Sequence, residues 1–205
     1  MMRDEERQAR ASEDPIVEGL PDVPGILAAM QLAPGLALHL RGLADELLVK
    51  EFAGATLTRA DRELLATAVS AGNDCFYCMD SHGAFAGELL LRATGREHEA
   101  VIESVKTGGA AALDAKLSTL LHIARTVRQR ALDLRRGDVE RAKAAGASDG
   151  DVQLTILIAA AFSMYNRMVD GLRAKTPPSA EAFRDRARQI ADNGYSSPNV
   201  TAVPR

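Results

Sequence analysis

Tryptophan is missing from this chain, and aromatic residues make up only 4% of it. Binding of single-stranded nucleic acid draws on stacking aromatics, and binding of any nucleic acid draws on clustered positive charge. The charge pattern supplies neither: 25 Lys and Arg stand against 28 Asp and Glu, a formal balance of −3, with no long basic run. No nucleic-acid partner is expected. A long apolar run is missing too. The most apolar stretch, Val152 to Met168, is broken by Gln153, Thr155, Ser163, Asn166 and Arg167, and reads as too short and too polar to span a bilayer. Acids and prolines occupy the start of the chain, where a secretory signal needs an apolar core. A cytoplasmic protein with no membrane partner is the expectation. Cysteine is scarce, at two residues. Without an export signal they argue against a structural staple and leave room for a disulfide made and broken in catalysis.

Ala and Leu dominate what is present, and an excess of good helix formers favours an all-α chain. Residues 1–20 are charged and aperiodic and read as a flexible arm, residues 21–193 as one multi-helix domain, and residues 194–205 as a C-terminal arm reaching a neighbour. Helical patterns cover Asp22–Gln31, Pro34–Val49, 59–71, Cys75–Thr94, 97–107, 114–132, 137–145, 149–172 and 179–192. Thr58, Ser148 and Ser179 are natural N-caps, and Gly95 is a natural C-cap. No segment alternates with period two, so no sheet is expected. At an offset of 90 residues, Thr58, Asp61, Glu63 and Leu64 echo Ser148, Asp151, Gln153 and Leu154. This hints at two pseudo-repeated halves, although a shared helix start explains most of the likeness.

The chemistry concentrates in Glu63-(eleven residues)-Cys75-Phe76-Tyr77-Cys78-Met79-Asp80-Ser81-His82. Cysteines three apart at a helix start share a face and lie close enough to bridge. The helix N-terminus favours their thiolates. His82 lies one turn beyond Cys78 on that face, where its imidazole can exchange a proton with the thiol. The break at Gly72-Asn73-Asp74 lets the preceding helix fold back, so that Glu63 can orient or polarise His82. Nucleophile, base, orienter and a second sulfur are all present.

Glu63, Cys75, Cys78 and His82 match, position by position, the E-x11-C-x2-C-x3-H motif of the alkyl hydroperoxidase D family, within the carboxymuconolactone decarboxylase-like superfamily. Cys-Phe-Tyr-Cys, followed later by Tyr165-Asn166-Arg167-Met168-Val169-Asp170-Gly171, resembles the peroxidase-related branch. The resemblance implies an all-helical, AhpD-like bundle that assembles as a homo-oligomer, a trimer or hexamer. It implies a hydroperoxide reductase in which Cys78 is peroxidatic, Cys75 resolves it, and His82 and Glu63 relay protons. The substrate is then a hydroperoxide and the reductant an external dithiol, of lipoyl type or similar. No cofactor beyond the Cys75–Cys78 pair and no metal is implied. One departure is Tyr77, which stands where well-studied members carry a histidine.

Other readings of the same residues are a thiol–disulfide oxidoreductase, a redox-sensing oligomeric scaffold without turnover, ring decarboxylation, and a zinc site using Cys75, Cys78 and His82. Zinc lacks a fourth ligand in the pattern. Tyr77, Tyr165 and Asn166 are weaker candidates for a substrate pocket. His39, His98 and His122 have no matching partners and read as surface or packing residues.

Overall fold

The computed structural model describes residues 14–110, 113–177 and 179–197, and every regular element among them is helical. In chain order these are α1 (Ile26–Leu32), α2 (Pro34–Leu48), α3 (Arg59–Gly72), α4 (Phe76–Thr94), α5 (Glu99–Lys106) and α6 (Ala115–Arg130). A 3-10 turn (Ala131–Asp133) follows, then α7 (Arg136–Ala144), α8 (Asp149–Gly171) and α9 (Ala180–Asn193). The expected N-caps act as such: Thr58, Ser148 and Ser179 accept from the amides of Asp61, Asp151 and Ala182. Gly95 closes α4 at φ 73°, a left-handed conformation that favours glycine. The first helix begins later than the Asp22 expected from sequence. Gly25 sits at φ 56°, outside the helical region, so winding starts only at Ile26. Most of the N-terminal arm expected over residues 1–20, and residues 198–205, lie outside the described residues.

α8 contains the apolar stretch Val152–Met168. It runs for 23 residues, and an 18-residue stretch of it with a mean hydropathy of 1.3 is, by length and composition alone, apolar enough to cross a membrane. In the fold, 56% of that span is buried inside the molecule. Its buried face carries Leu154, Ile158, Phe162, Tyr165 and Val169, and it packs on α6 and α3 as a core helix.

α3 is the other axis of the core, buried on nearly every face from Ala60 to Ser70 and packed against α4, α8 and α6. A helix apolar on one side only would need solvent on the other; α3 instead satisfies its polar groups internally. Arg62 donates to the Lys50 and Leu57 carbonyls at 2.6 and 3.2 Å, and Thr67 to the Glu63 carbonyl at 2.8 Å. Leu64, Leu65, Leu120, Leu121, Leu154, Ile158 and Phe162 fill the space between these helices. Each such side chain contributes about 1.5–3 kcal/mol by leaving water.

Both core helices start with the same capping box, which accounts for the internal echo in the sequence. The likeness stops at the acid. Asp61 caps only its own helix, whereas Asp151 is wholly buried and also accepts from Thr56 N at 2.6 Å, Thr56 Oγ1 at 2.9 Å and Leu57 N at 3.1 Å. Burial pushes its carboxyl upward, but the donors from Ser148 and Thr56 outweigh that and hold it below the usual carboxylate range. This one side chain ties the start of α8 to the segment that leads into α3.

Candidate active site

The break foreseen at residues 72–74 is a tight reversal that lays α4 along α3. Asp74 takes φ 57°, a left-handed position that Asp and Asn tolerate, and the Cys75 amide returns to the Ser70 carbonyl at 3.1 Å. Asn166 of α8 brackets this turn: it accepts from Asn73 Nδ2 at 2.9 Å and donates to Ser70 Oγ at 3.0 Å. Asn166 was expected to line a substrate pocket. It does not; its amide is spent holding the reversal that delivers the cysteines.

Cys75 is the N-cap residue of α4, and Cys78 lies in its first turn. Both thiols are free and buried, Cys75 at 0% and Cys78 at 3% exposure. A side-chain hydrogen bond to Cys78, with burial second, drives the Cys75 thiol far above its ordinary value. Cys75 therefore stays protonated as a donor beside Cys78, and the first turn of the helix supplies further positive potential there.

His82 and Glu63 come together as the spacing suggested. His82 Nδ1 lies 2.7 Å from Glu63 Oε2, and Glu63 is wholly buried. Phe162 and Phe85 meet the imidazole edge-on, at ring-centroid distances of 4.5 and 5.2 Å, and fix its plane. With Nδ1 engaged, Nε2 is the nitrogen left for proton exchange.

Sequence reasoning missed the third member of this chain. Tyr195 donates its hydroxyl to Glu63 Oε1 at 2.7 Å, and its oxygen lies 3.4 Å from His82 Nδ1. Burial, then the charge of Glu63, pushes the phenol well above its ordinary value, so Tyr195 remains a neutral donor. Residues 194–197 were expected to reach a neighbour; instead they turn inward. The Tyr195 and Ser196 amides donate to the Asp45 carboxylate at 2.6 and 2.9 Å, which anchors the tail on α2.

A cavity of about 60 Å³ joins these groups. Cys78, His82, Tyr195, Tyr77 and Tyr165 line it, together with Arg41 of α2 and Arg186 of α9. Tyr77 and Tyr165 thus stand where the pocket was expected. Tyr165 is held by donating to the Leu40 carbonyl at 2.7 Å. Tyr77 packs so closely on Gly25 that a Cβ there would come within 2.1 Å of its ring, and burial pushes its phenol up to about 12. The Tyr77 ring also lines a larger open groove of about 1370 Å³, so it forms part of the wall between groove and cavity. Among the described residues, no group of three or more His, Cys, Asp or Glu side chains is arranged to hold a metal ion. Of the other histidines, His39 is exposed, His98 meets Thr94 at 2.8 Å and His122 meets Asp138 at 3.1 Å.

Residues 40–94, which span α2 to the end of α4 and hold all four motif residues, match the carboxymuconolactone decarboxylase family. The fold is similar to an uncharacterized peroxidase-related protein from Silicibacter sp. TM1040, with TM-score 0.67, 23% identity, and coverage of 82% of this chain and 92% of that one. It is equally similar, at TM-score 0.67 and 23% identity, to an alkylhydroperoxidase AhpD core structure, an uncharacterized peroxidase-related protein from Ralstonia eutropha JMP134. That likeness covers 79% of this chain and 82% of the other. No curated protein matches the chain. The all-helical fold is AhpD-like, and the family match is confined to residues 40–94.

Proposed function

We propose that this protein is a cofactor-free thiol peroxidase that reduces hydroperoxides at Cys78. The observation that carries the proposal is the buried hydrogen-bonded chain Tyr195–Glu63–His82, with links of 2.7 Å each, set behind the cavity that Cys78 lines. A carboxylate that engages Nδ1 strengthens the imidazole as a base at Nε2, and the fixed ring plane keeps that nitrogen aimed.

In the cycle, His82 accepts the Cys78 proton. The thiolate attacks one peroxide oxygen, the O–O bond breaks, and the departing alkoxide takes a proton to leave as alcohol, or as water from hydrogen peroxide. Cys78 is left as a sulfenic acid. Cys75 then attacks the Cys78 sulfur, water leaves, and a disulfide forms. An external dithiol, of lipoyl type or similar, restores both thiols by exchange and carries away the two electron equivalents as its own disulfide. The complete burial of Cys75 and its hydrogen bond to Cys78, which raise its thiol, support its part as the later-reacting sulfur. A cavity of about 60 Å³ admits only the peroxide end of a substrate or a very small molecule.

The test is stopped-flow oxidation of wild type, Cys78→Ser and Cys75→Ser, with free thiols counted afterwards. Cys78→Ser should not react. Cys75→Ser should react once and stall as sulfenic acid. Turnover by both variants at the wild-type rate would refute the assignment, and faster oxidation by disulfides than by peroxides would turn it toward thiol–disulfide exchange. His82→Ala should lose rate at neutral pH and regain part of it in alkaline buffer, where the thiol ionises without its base.

A further inference from the structure

We propose that Tyr77 sets the size of the substrate at Cys78: its ring partitions the small cavity from the open groove and restricts the reaction to hydrogen peroxide and the smallest alkyl hydroperoxides. The proposal rests on the peroxidatic role of Cys78 and adds the residue that selects its substrate class.

The partition follows from the helix period, which places side chains three and four residues apart on one face. Along α4, Phe76, Asp80, Gly83, Ala84 and Gly87 line the groove of about 1370 Å³. Cys78, Ser81, His82 and Phe85, on another face of the same helix, line the cavity of about 60 Å³. α9 divides in the same way, with Phe183 and Ala187 toward the groove and Arg186 toward the cavity. Tyr77 sits at the seam. Among the described residues it alone lines both spaces. Its ring meets Phe183 at a centroid distance of 6.1 Å and an interplanar angle of 54°, so two aromatic side chains close the junction of α4 with α9. On another side the Gly25 backbone approaches the Tyr77 ring so closely that no Cβ would fit. Gly25 is itself fixed, since its amide donates to the Lys175 carbonyl at 2.8 Å. The ring is therefore wedged between neighbouring elements, and a close-packed wall of this kind yields little.

Cys78 lines the cavity and not the groove, so a molecule lying in the groove reaches its sulfur only past Tyr77. At about 15 Å³ for each water-sized sphere, the cavity of about 60 Å³ has room for about four. Hydrogen peroxide, or a hydroperoxide of one or two carbons, fits that space. An aryl hydroperoxide would have to leave its body in the groove and pass its peroxide group through the ring.

The test is the rate of Cys78 oxidation in Cys75→Ser protein, in which Cys78 is the only thiol and no reductant need enter. The quantity read is the ratio of rates with hydrogen peroxide and cumene hydroperoxide, taken relative to free cysteine. It should be raised about a hundredfold, the scale on which a close-fitting pocket rejects excess bulk. Tyr77→Phe keeps the ring and should keep the ratio. Tyr77→Leu should lower the ratio about tenfold, and Tyr77→Ala further. Leu120→Ala truncates a core residue of α6 that lines neither space, and should lower the melting temperature without moving the ratio. Circular dichroism identifies any Tyr77 variant that fails to fold, for which the leucine variant and the ratio in the Tyr77 parent decide. A parent ratio equal to that of free cysteine overturns the proposal. So does a ratio that Tyr77→Leu leaves unchanged, or one that Leu120→Ala lowers as much. Iodoacetamide and its N-benzyl derivative, which consume the same thiolate, should show the same pattern. If the bulky reagent is excluded until Tyr77 is truncated but neither hydroperoxide oxidises Cys78, the peroxidatic role fails and the substrate class falls with it, while the partition remains.

Discussion

Glu63 and Asp151 are both wholly buried carboxylates at the heart of one bundle, yet they are satisfied in opposite ways. Asp151 takes its hydrogen bonds mostly from backbone amides, those of Ser148, Thr56 and Leu57. Glu63 takes its own from two titratable side chains, His82 and Tyr195. Amides cannot give up their protons at ordinary pH, so the first arrangement can only hold structure. An imidazole can, so the second can move charge. Equal burial therefore says little about role; the chemistry of the donors decides it.

Exchanging each carboxylate for its amide tests this contrast most directly. Glu63→Gln should lower kcat/KM for hydroperoxide by about 10²–10³, the share typical of general acid–base catalysis, with little change in melting temperature. Asp151→Asn should do the reverse, lowering stability by about 2–3 kcal/mol in urea unfolding while the folded fraction keeps its turnover. If Asp151→Asn instead removed activity without unfolding, the distinction would collapse. The same pair separates by pH. Because the folded Asp151 carboxyl lies below its ordinary value of 3.8, its contribution is complete above that pH and is lost as pH falls through the lower folded value. Wild type should thus lose stability below pH 3.8 more steeply than Asp151→Asn, as followed by melting temperature across an acid series.

Smaller changes sharpen the contrast at single donors. Tyr195→Phe removes one hydroxyl from Glu63 and should cost about tenfold in kcat, with KM nearly unchanged, since the proton chain is weakened but the cavity keeps its ring. Thr56→Val removes one hydroxyl from Asp151 and should cost about 1 kcal/mol in stability and nothing in rate. A loss of rate in Thr56→Val, or none in Tyr195→Phe, would break the assignment of roles.

Local signals explain what the sequence disclosed. Capping residues such as Thr58 and Ser148, and breaks such as Gly72-Asn73-Asp74, act within a few residues, so helix boundaries were legible to within a few positions. Glu63 and His82 were legible for a related reason: one reversal separates them, and its geometry follows from the break. Tyr195, Arg41 and Arg186 carried no such mark. Tyr195 lies in an aperiodic tail 132 residues from its partner carboxylate. The two arginines look like ordinary surface charges until α2 and α9 pack around the cysteine helix. Asn166 shows the opposite error. Its place near a family-like phrase suggested a pocket, but its amide matches the donors and acceptors of Asn73 and Ser70.

The anchoring of residues 195 and 196 on Asp45 has a consequence for the order of events during biosynthesis. A ribosome delivers both sulfurs, the imidazole and the acid early, but the phenol that completes their proton chain emerges last. Nascent chains therefore carry an unfinished relay. On the proposed mechanism, the Cys78 thiol reaches full reactivity only once α9 has docked and the hydroxyl of Tyr195 has found Glu63.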